Sequence, residues 1–157
     1  MQQAVARLLE HPEFLHRGAS RTVQLSANQR LFCEGEHCGK LYVIEQGRVR
    51  VTTAVPLANE RHIQPGIADL GPGEMVGELA MVDGGRHTAS VITLTDTRLT
   101  EIDSAALLAF LDEHPELGYP MMKALATSLV ERMRAANSKV SSLFAWGLKA
   151  HRIEQHL

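Results

Sequence analysis

Between Arg21 and Glu101 the chain is a series of short β-rich runs cut by glycine, and this punctuation limits the folds open to it. Glycines stand at 35, 39, 47, 66, 71, 73, 77, 84 and 85. Thr22–Leu25 alternates, Leu41–Ile44 and Val49–Val51 are β-rich, and Val91–Leu94 and Leu99–Ile102 supply the last strands. Many short strands separated by turn residues predict an antiparallel roll or barrel rather than a layered α/β fold. Glu45-Gln46-Gly47, between two of the runs, reads as a hairpin signal. Leu57–Gln64 has no strong period and reads as a loop or ragged hairpin.

Helical periodicity flanks this block. Residues 1–18 read as one or two short helices: Val5, Leu8 and Leu9 share a face, Pro12 interrupts, and Phe14 and Leu15 follow. After the block, Asp103 or Ser104 caps a helix through Ala105–Leu111, and Pro115 opens another that runs towards the end of the chain. Its stripe is Leu117, Met121, Leu125, Leu129, Met133, Ala136, Val140 and Leu143, in steps of three and four. Such a stripe reads as core or as the seam of a dimer. Phe144, Trp146, Leu148 and Ile153 are too apolar for a free tail and are expected to be covered by the roll or by a second subunit.

The expected fold is therefore α+β, mainly β: an antiparallel β-roll (a double-stranded β-helix, jelly-roll-like) with short N-terminal helices and a long C-terminal helix. A chain of 157 residues is expected to form one domain, with helices over 1–20, the roll over 21–102 and helices over 103–157. The net charge of -2 gives no general nucleic-acid-binding surface. No apolar run approaches the ~20 residues of a membrane span, and Met1–Glu10 lacks the apolar core of a signal peptide. Cytoplasm is the expected location. Cys33 and Cys38, five apart with no second ligand pair, make a poor zinc site and read as reduced thiols.

The densest chemistry lies in Gly77-Glu78-Leu79-Ala80-Met81-Val82-Asp83-Gly84-Gly85-Arg86-His87-Thr88-Ala89-Ser90-Val91. An acidic residue follows a glycine, and the segment closes on a basic pair, a hydroxyl and a strand. Backbone N–H groups at a short helix start suit a small anion, and a carboxylate accepts hydrogen bonds from sugar hydroxyls.

This segment resembles the phosphate-binding cassette of cyclic nucleotide-binding domains, which reads Gly-Glu-Leu-Ala, a few variable residues, then Arg-x-Ala-Ser/Thr-Val. Three further stretches resemble the family in order and spacing: Leu31-Phe32-Cys33-Glu34-Gly35-Glu36, Leu41–Val49, and Leu70–Glu78. The family's glycine before the first of these is replaced by Ala27-Asn28-Gln29, where Asn28 can take the left-handed turn. The resemblance implies a regulatory module that binds cAMP or cGMP, with no metal, no further cofactor and no catalytic residues. It implies a cassette over 76–91 whose ligand-binding residues are Val76, Gly77, Glu78, Leu79, Ala80, Arg86, His87, Thr88 and Ala89. Glu78 would take the ribose 2′-hydroxyl, and Leu79, Ala80 and Met81 would pack inward while their N–H groups face the phosphate. Asn137, on the long helix, would reach the purine. That helix is similar to the dimerising helix of catabolite activator proteins, which implies a homodimer. Because the sequence ends at Leu157, where a helix-turn-helix would begin, direct DNA binding is not expected.

One position departs from the pattern. The arginine that clamps phosphate in the family stands two residues before the alanine; here that residue is His87, and Arg86 is one place early. Three arrangements stay open: His87 holds phosphate, better when protonated; Arg86 swings in across Gly84-Gly85; or the pocket no longer takes cyclic nucleotides, leaving a dimerisation or protein-interaction module. An enzyme reading has little to stand on, since no nucleophile elbow, Walker loop or two-His-one-carboxylate set is readable.

Overall fold

A computed structural model describes residues 2–37, 39–56, 62–63 and 65–150. The antiparallel roll is there. Among the described residues, ten strands form three sheets, β1 (Ser20–Leu25), β2 (Arg30–Phe32), β3 (Lys40–Gln46), β4 (Val49–Thr52), β5 (Val55–Pro56), β6 (His62–Ile63), β7 (Gly66–Leu70), β8 (Met75–Val76), β9 (Ser90–Thr93) and β10 (Thr97–Asp103). The sheet orders are β1-β10-β3-β8, β2-β9-β4-β7 and β5-β6, with every pair antiparallel. The stretch 57–64 lies outside the described residues except for β6, whose pairing with β5 makes a hairpin of its two ends.

The two larger sheets share one interior. Phe32, Val49, Leu70 and Val91 from one sheet meet Tyr42, Ile44, Val76 and Leu99 from the other in a single apolar cluster. Strand β3 is buried over four consecutive residues, Leu41–Ile44. Tyr42 and Ile44 face the interior, and the alternate residues are covered too because helix α3 (Glu78–Asp83) packs on this strand.

The Glu45-Gln46-Gly47 turn is not a hairpin. β3 and β4 lie in different sheets, so the turn is a corner at which the chain leaves one sheet for the other. A second crossing, from β9 to β10, runs against it. Leu94 N–H donates to the Arg48 carbonyl at 2.8 Å, and Arg48 N–H to the Thr95 hydroxyl at 3.1 Å. Gly47 has φ +91°, and a Cβ there would lie 2.5 Å from the Asp96 carbonyl oxygen.

Helices α1 (Gln2–Leu9) and α2 (Pro12–His16) bury Val5, Leu8 and Phe14, whereas Leu15 is exposed. Phe14 meets Phe110 of α4 (Ser104–Glu113) edge to face at 5.1 Å. Asp103, not Ser104, caps α4: its carboxylate accepts from Ala106 N–H at 2.8 Å. On β10, burial alone would raise the pKa of Glu101. The ion pairs from Arg21 and Lys40, both 2.7 Å, outweigh it and hold the carboxyl below its ordinary value.

Helix α5 (Pro115–Ala150) starts where Pro115 predicts, and the chain divides into compact units 1–121 and 122–157 within it. In the second unit Leu125 is buried, but the stripe is bare from Met133 through Val140 and Leu143. Phe144 (70% exposed) and Trp146 (71%) are exposed in the single chain, Leu148 is half-buried, and Ile153 lies outside the described residues.

Replacing Gly47 by alanine forces a side chain into an occupied corner at a left-handed φ. The expected cost is about 2–4 kcal/mol, read as a lower midpoint in urea at unchanged slope. A midpoint equal to that of the parent chain would show that the corner tolerates a Cβ.

Candidate functional site

The cassette segment packs against β3 through α3 and is tied by its far end to the turn between β2 and β3. Val76 ends β8 and is buried. Gly77 then turns with φ +84°, and α3 begins at Glu78. A Cβ at 77 would approach the Lys40 carbonyl oxygen at 3.0 Å and the His87 ring carbon Cε1 at 3.3 Å. Glycine is thus required twice, for the backbone angle and for the space. Glu78 is only 2% exposed at the first position of α3.

A six-residue helix cannot bury every side. Met81 turns inward, whereas Leu79 is 37% exposed, which corrects the expectation that both pack inside. Ala80 lies in the first turn of α3. The helix stops at Gly84, which takes φ +64°.

The far end of the cassette is bound to the β2–β3 turn. Gly35 N–H donates to the His87 carbonyl at 2.8 Å, and His87 N–H donates to the Glu36 carbonyl at 3.0 Å. Arg86 bridges to His37 through the backbone, and its exposed guanidinium donates to the Gly35 carbonyl at 2.7 Å. Glu34 N–H reaches the Ser90 hydroxyl at 2.9 Å. The turn itself is closed by Cys33 N–H donating to the Glu36 carboxylate at 2.9 Å. That bond holds the Glu36 carboxyl below its ordinary pKa. Thr88 is exposed and Ala89 half-buried.

His87, at the clamp position, is 8% exposed and lies flat on Phe32, with ring centroids 3.6 Å apart and planes 7° apart. Burial pushes its pKa below the ordinary histidine value, against a smaller opposing pull from the Glu36 charge. Among the described residues its hydrogen bonds are made by the backbone alone. Sequence reasoning missed Phe32, Gly35 and Glu36 as neighbours of the site. Phe32 and His87 are far apart in the chain, and nothing local to either announces their stack.

Asn137 is exposed on α5 in the unit 122–157. Cys33 is a half-buried free thiol, and Cys38 lies outside the described residues. Glu13, Glu113 and His114 bring three potential metal ligands within 4.8 Å of one another. Arg17 already donates to both carboxylates there, so their charge has a partner within the protein. A groove of about 440 Å³ beside the sheet corner, lined by Gln24, Gln46, Asp96 and Arg98 among others, contains none of the cassette residues.

The cyclic nucleotide-binding domain family matches residues 22–114, more than half of the chain, and the protein belongs to it. A CRP-like cAMP-activated global transcriptional regulator of Mycobacterium tuberculosis is 30% identical over 121 residues, covering 77% of this chain and 50% of its own. The cyclic AMP receptor protein of Thermus thermophilus is 30% identical over 113 residues, covering 72% and 49%. The chain thus spans about half the length of these relatives. The solved structure of a cyclic nucleotide-binding domain from Methylobacillus flagellatus superposes with a TM-score of 0.65 at 26% identity, covering 77% of this chain and 66% of that one.

Gly77→Ala is expected to cost about 1–3 kcal/mol through the left-handed φ and to move the His87 ring off Phe32. Histidine ring signals in NMR spectra check the second effect: an unshifted His87 resonance in a folded variant would contradict the packing described.

Proposed function

We propose that the chain is a cyclic nucleotide-sensing module. The observation that carries this reading is Glu78, a carboxyl residue 2% exposed, set directly behind a glycine in the left-handed conformation and inside the family's match. A carboxylate has about four acceptor sites, enough to keep a protein partner and take a ribose hydroxyl as well. The cyclic phosphate would be held by the backbone that opens α3 and by the 86–89 end of the cassette. The base would be met by α5, with Asn137 as the contact proposed by resemblance. Ligand and helix would be coupled through contacts that differ between bound and free states. The regulators among its relatives favour a non-catalytic role, with which a cytoplasmic location is proposed; none of the described helices is long and apolar enough to cross a membrane.

A second reading is favoured by the bare stripe on α5 and by the histidine at the clamp: the same fold acting as a ligand-independent dimerisation or protein-interaction module. The exposed Met133, Val140 and Leu143 suit a second copy of the chain in either case.

Calorimetric titration with cAMP and with cGMP separates the two. The sensor reading expects micromolar binding of at least one, and Glu78→Gln is expected to weaken it about 10- to 100-fold, since a hydrogen bond to a charged group contributes roughly 1.5–3 kcal/mol. No heat at millimolar ligand and an unshifted melting temperature would leave the interaction module standing. Undiminished affinity in Glu78→Gln would remove Glu78 from the site.

A further inference from the structure

We infer that anion binding in this cassette is coupled to the uptake of one proton by His87, with the Phe32 ring as the platform that holds the imidazole in place. The inference rests on the sensor reading above and specifies how that site is regulated.

Three observations carry it. First, the imidazole is fixed: its ring lies 3.6 Å from Phe32, its backbone is tied on both sides to Gly35 and Glu36, and Gly77 leaves room for the ring and nothing more. Second, the residue is only 8% exposed, its ring nitrogens make no hydrogen bond among the described residues, and neither is a fully buried atom, so the polar edge of the ring reaches the surface. Third, the neighbouring permanent cation is committed elsewhere, with the Arg86 guanidinium on the Gly35 carbonyl at 2.7 Å. An anion arriving at the clamp position therefore meets an imidazole.

A neutral imidazole offers an anion one N–H and one lone pair, and the lone pair repels it. The imidazolium offers two donors and a full charge. The flat contact with Phe32 also favours a cation over the ring face. The charged and titratable groups around His87 are Glu36 and His37 on the facing turn, Arg86 beside it, and Glu78 and Lys40 on the elements flanking Gly77. Of these, Glu36 pulls the His87 pKa up, but burial pulls it down further. Without an anion the imidazole is then mainly neutral near pH 7, and a bound phosphodiester raises the His87 pKa.

The direction of the coupling follows. A group whose pKa is higher in the bound state adds affinity that is fully present below its free-state pKa and is lost as pH rises through its bound-state pKa. A cyclic phosphodiester keeps one negative charge across this range, so the titration belongs to the protein. The proton comes from solvent, and one is taken up per site filled between the two pKa values. The nucleotide is then read together with acidity.

The experiment is calorimetry of the whole chain with cAMP, at matched pH in two buffers of different ionisation enthalpy, repeated from pH 5.5 to pH 8. The expected result is uptake averaging about half a proton per site or more between pH 6 and pH 8, with affinity falling at least roughly tenfold across that range. His87→Gln is expected to bind weakly with no pH dependence. His87→Arg is expected to bind tightly at pH 8 with a flat profile. Binding by the parent chain without proton uptake would overturn the coupling and leave the sensor reading intact. Retained pH dependence in His87→Gln would assign the proton to another group and also overturn it. No heat from the parent chain, with binding by His87→Arg, would show a site that histidine cannot operate and would defeat both. No heat from either chain would defeat the sensor reading itself.

Discussion

The roll depends on the corner where Gly47 meets Asp96 and Thr97. Two strand-to-strand crossings, β3 to β4 and β9 to β10, pass one another there at backbone contact distance. Their turns are tied together by the carbonyl of Arg48, which accepts from Leu94 N–H at 2.8 Å and from the Thr97 hydroxyl at 3.3 Å. Because both crossings change sheet at one place, β3–β10 and β4–β9 remain paired while the two sheets fold over a common interior. That interior gives Phe32 and Tyr42, 5.9 Å apart, a shared face, and it gives His87 a ring to lie on. A true hairpin at residues 45–47 would have left β3 and β4 side by side in one sheet, with no enclosed space for a cassette to close.

This explains what could be read from the chain and what could not. Local stereochemistry was legible. Asn28 adopts φ +63° where a left-handed turn was required, Asp103 accepts from Ala106 N–H where a cap was required, and Pro115 opens a helix. Each of these is decided within a few residues by backbone angles or a single hydrogen bond. The Gly47 turn was misread because a corner and a hairpin present the same short glycine turn between β-rich runs. What distinguishes them is pairing with strands some fifty residues away in sequence, as in Leu99 with Ile44. Leu79 was misplaced for a different reason. The pattern placed Leu79, Ala80 and Met81 together, but consecutive helical residues point about 100° apart and a short helix has one buried side.

The cassette itself was legible as a segment, and its wiring was not. Glu78, Gly77 and Val76 stand where the spacing put them. The partners that hold the other end, Glu34, Gly35 and Glu36, come from a turn whose own sequence shows only a glycine between two acids. Arg86 illustrates the difficulty. By sequence it was a candidate to replace the displaced clamp, since one residue of slip seems small beside a flexible side chain. In the fold that slip sends the chain into a backbone bridge with His37, and the guanidinium finds a carbonyl partner there.

Histidine at the clamp changes the energetics of the empty site as well as of the filled one. A guanidinium set where the His87 ring lies, 8% exposed and against Phe32, would carry a permanent charge into apolar surroundings. Burying an unpaired charge costs several kcal/mol even after relaxation, so such a roll would hold strain until an anion arrived. Imidazole can avoid this, because burial lowers its pKa and favours the neutral form. The empty site then packs as an aromatic pair continuous with the interior cluster, and the ring–ring contact contributes about 0.5–1.5 kcal/mol beyond its buried area. The same property limits what the site can do at high pH, because the charge an anion needs must first be put back. On the proposed coupling, stability of the roll and affinity for an anion would be set against each other at His87, with a balance that moves with pH.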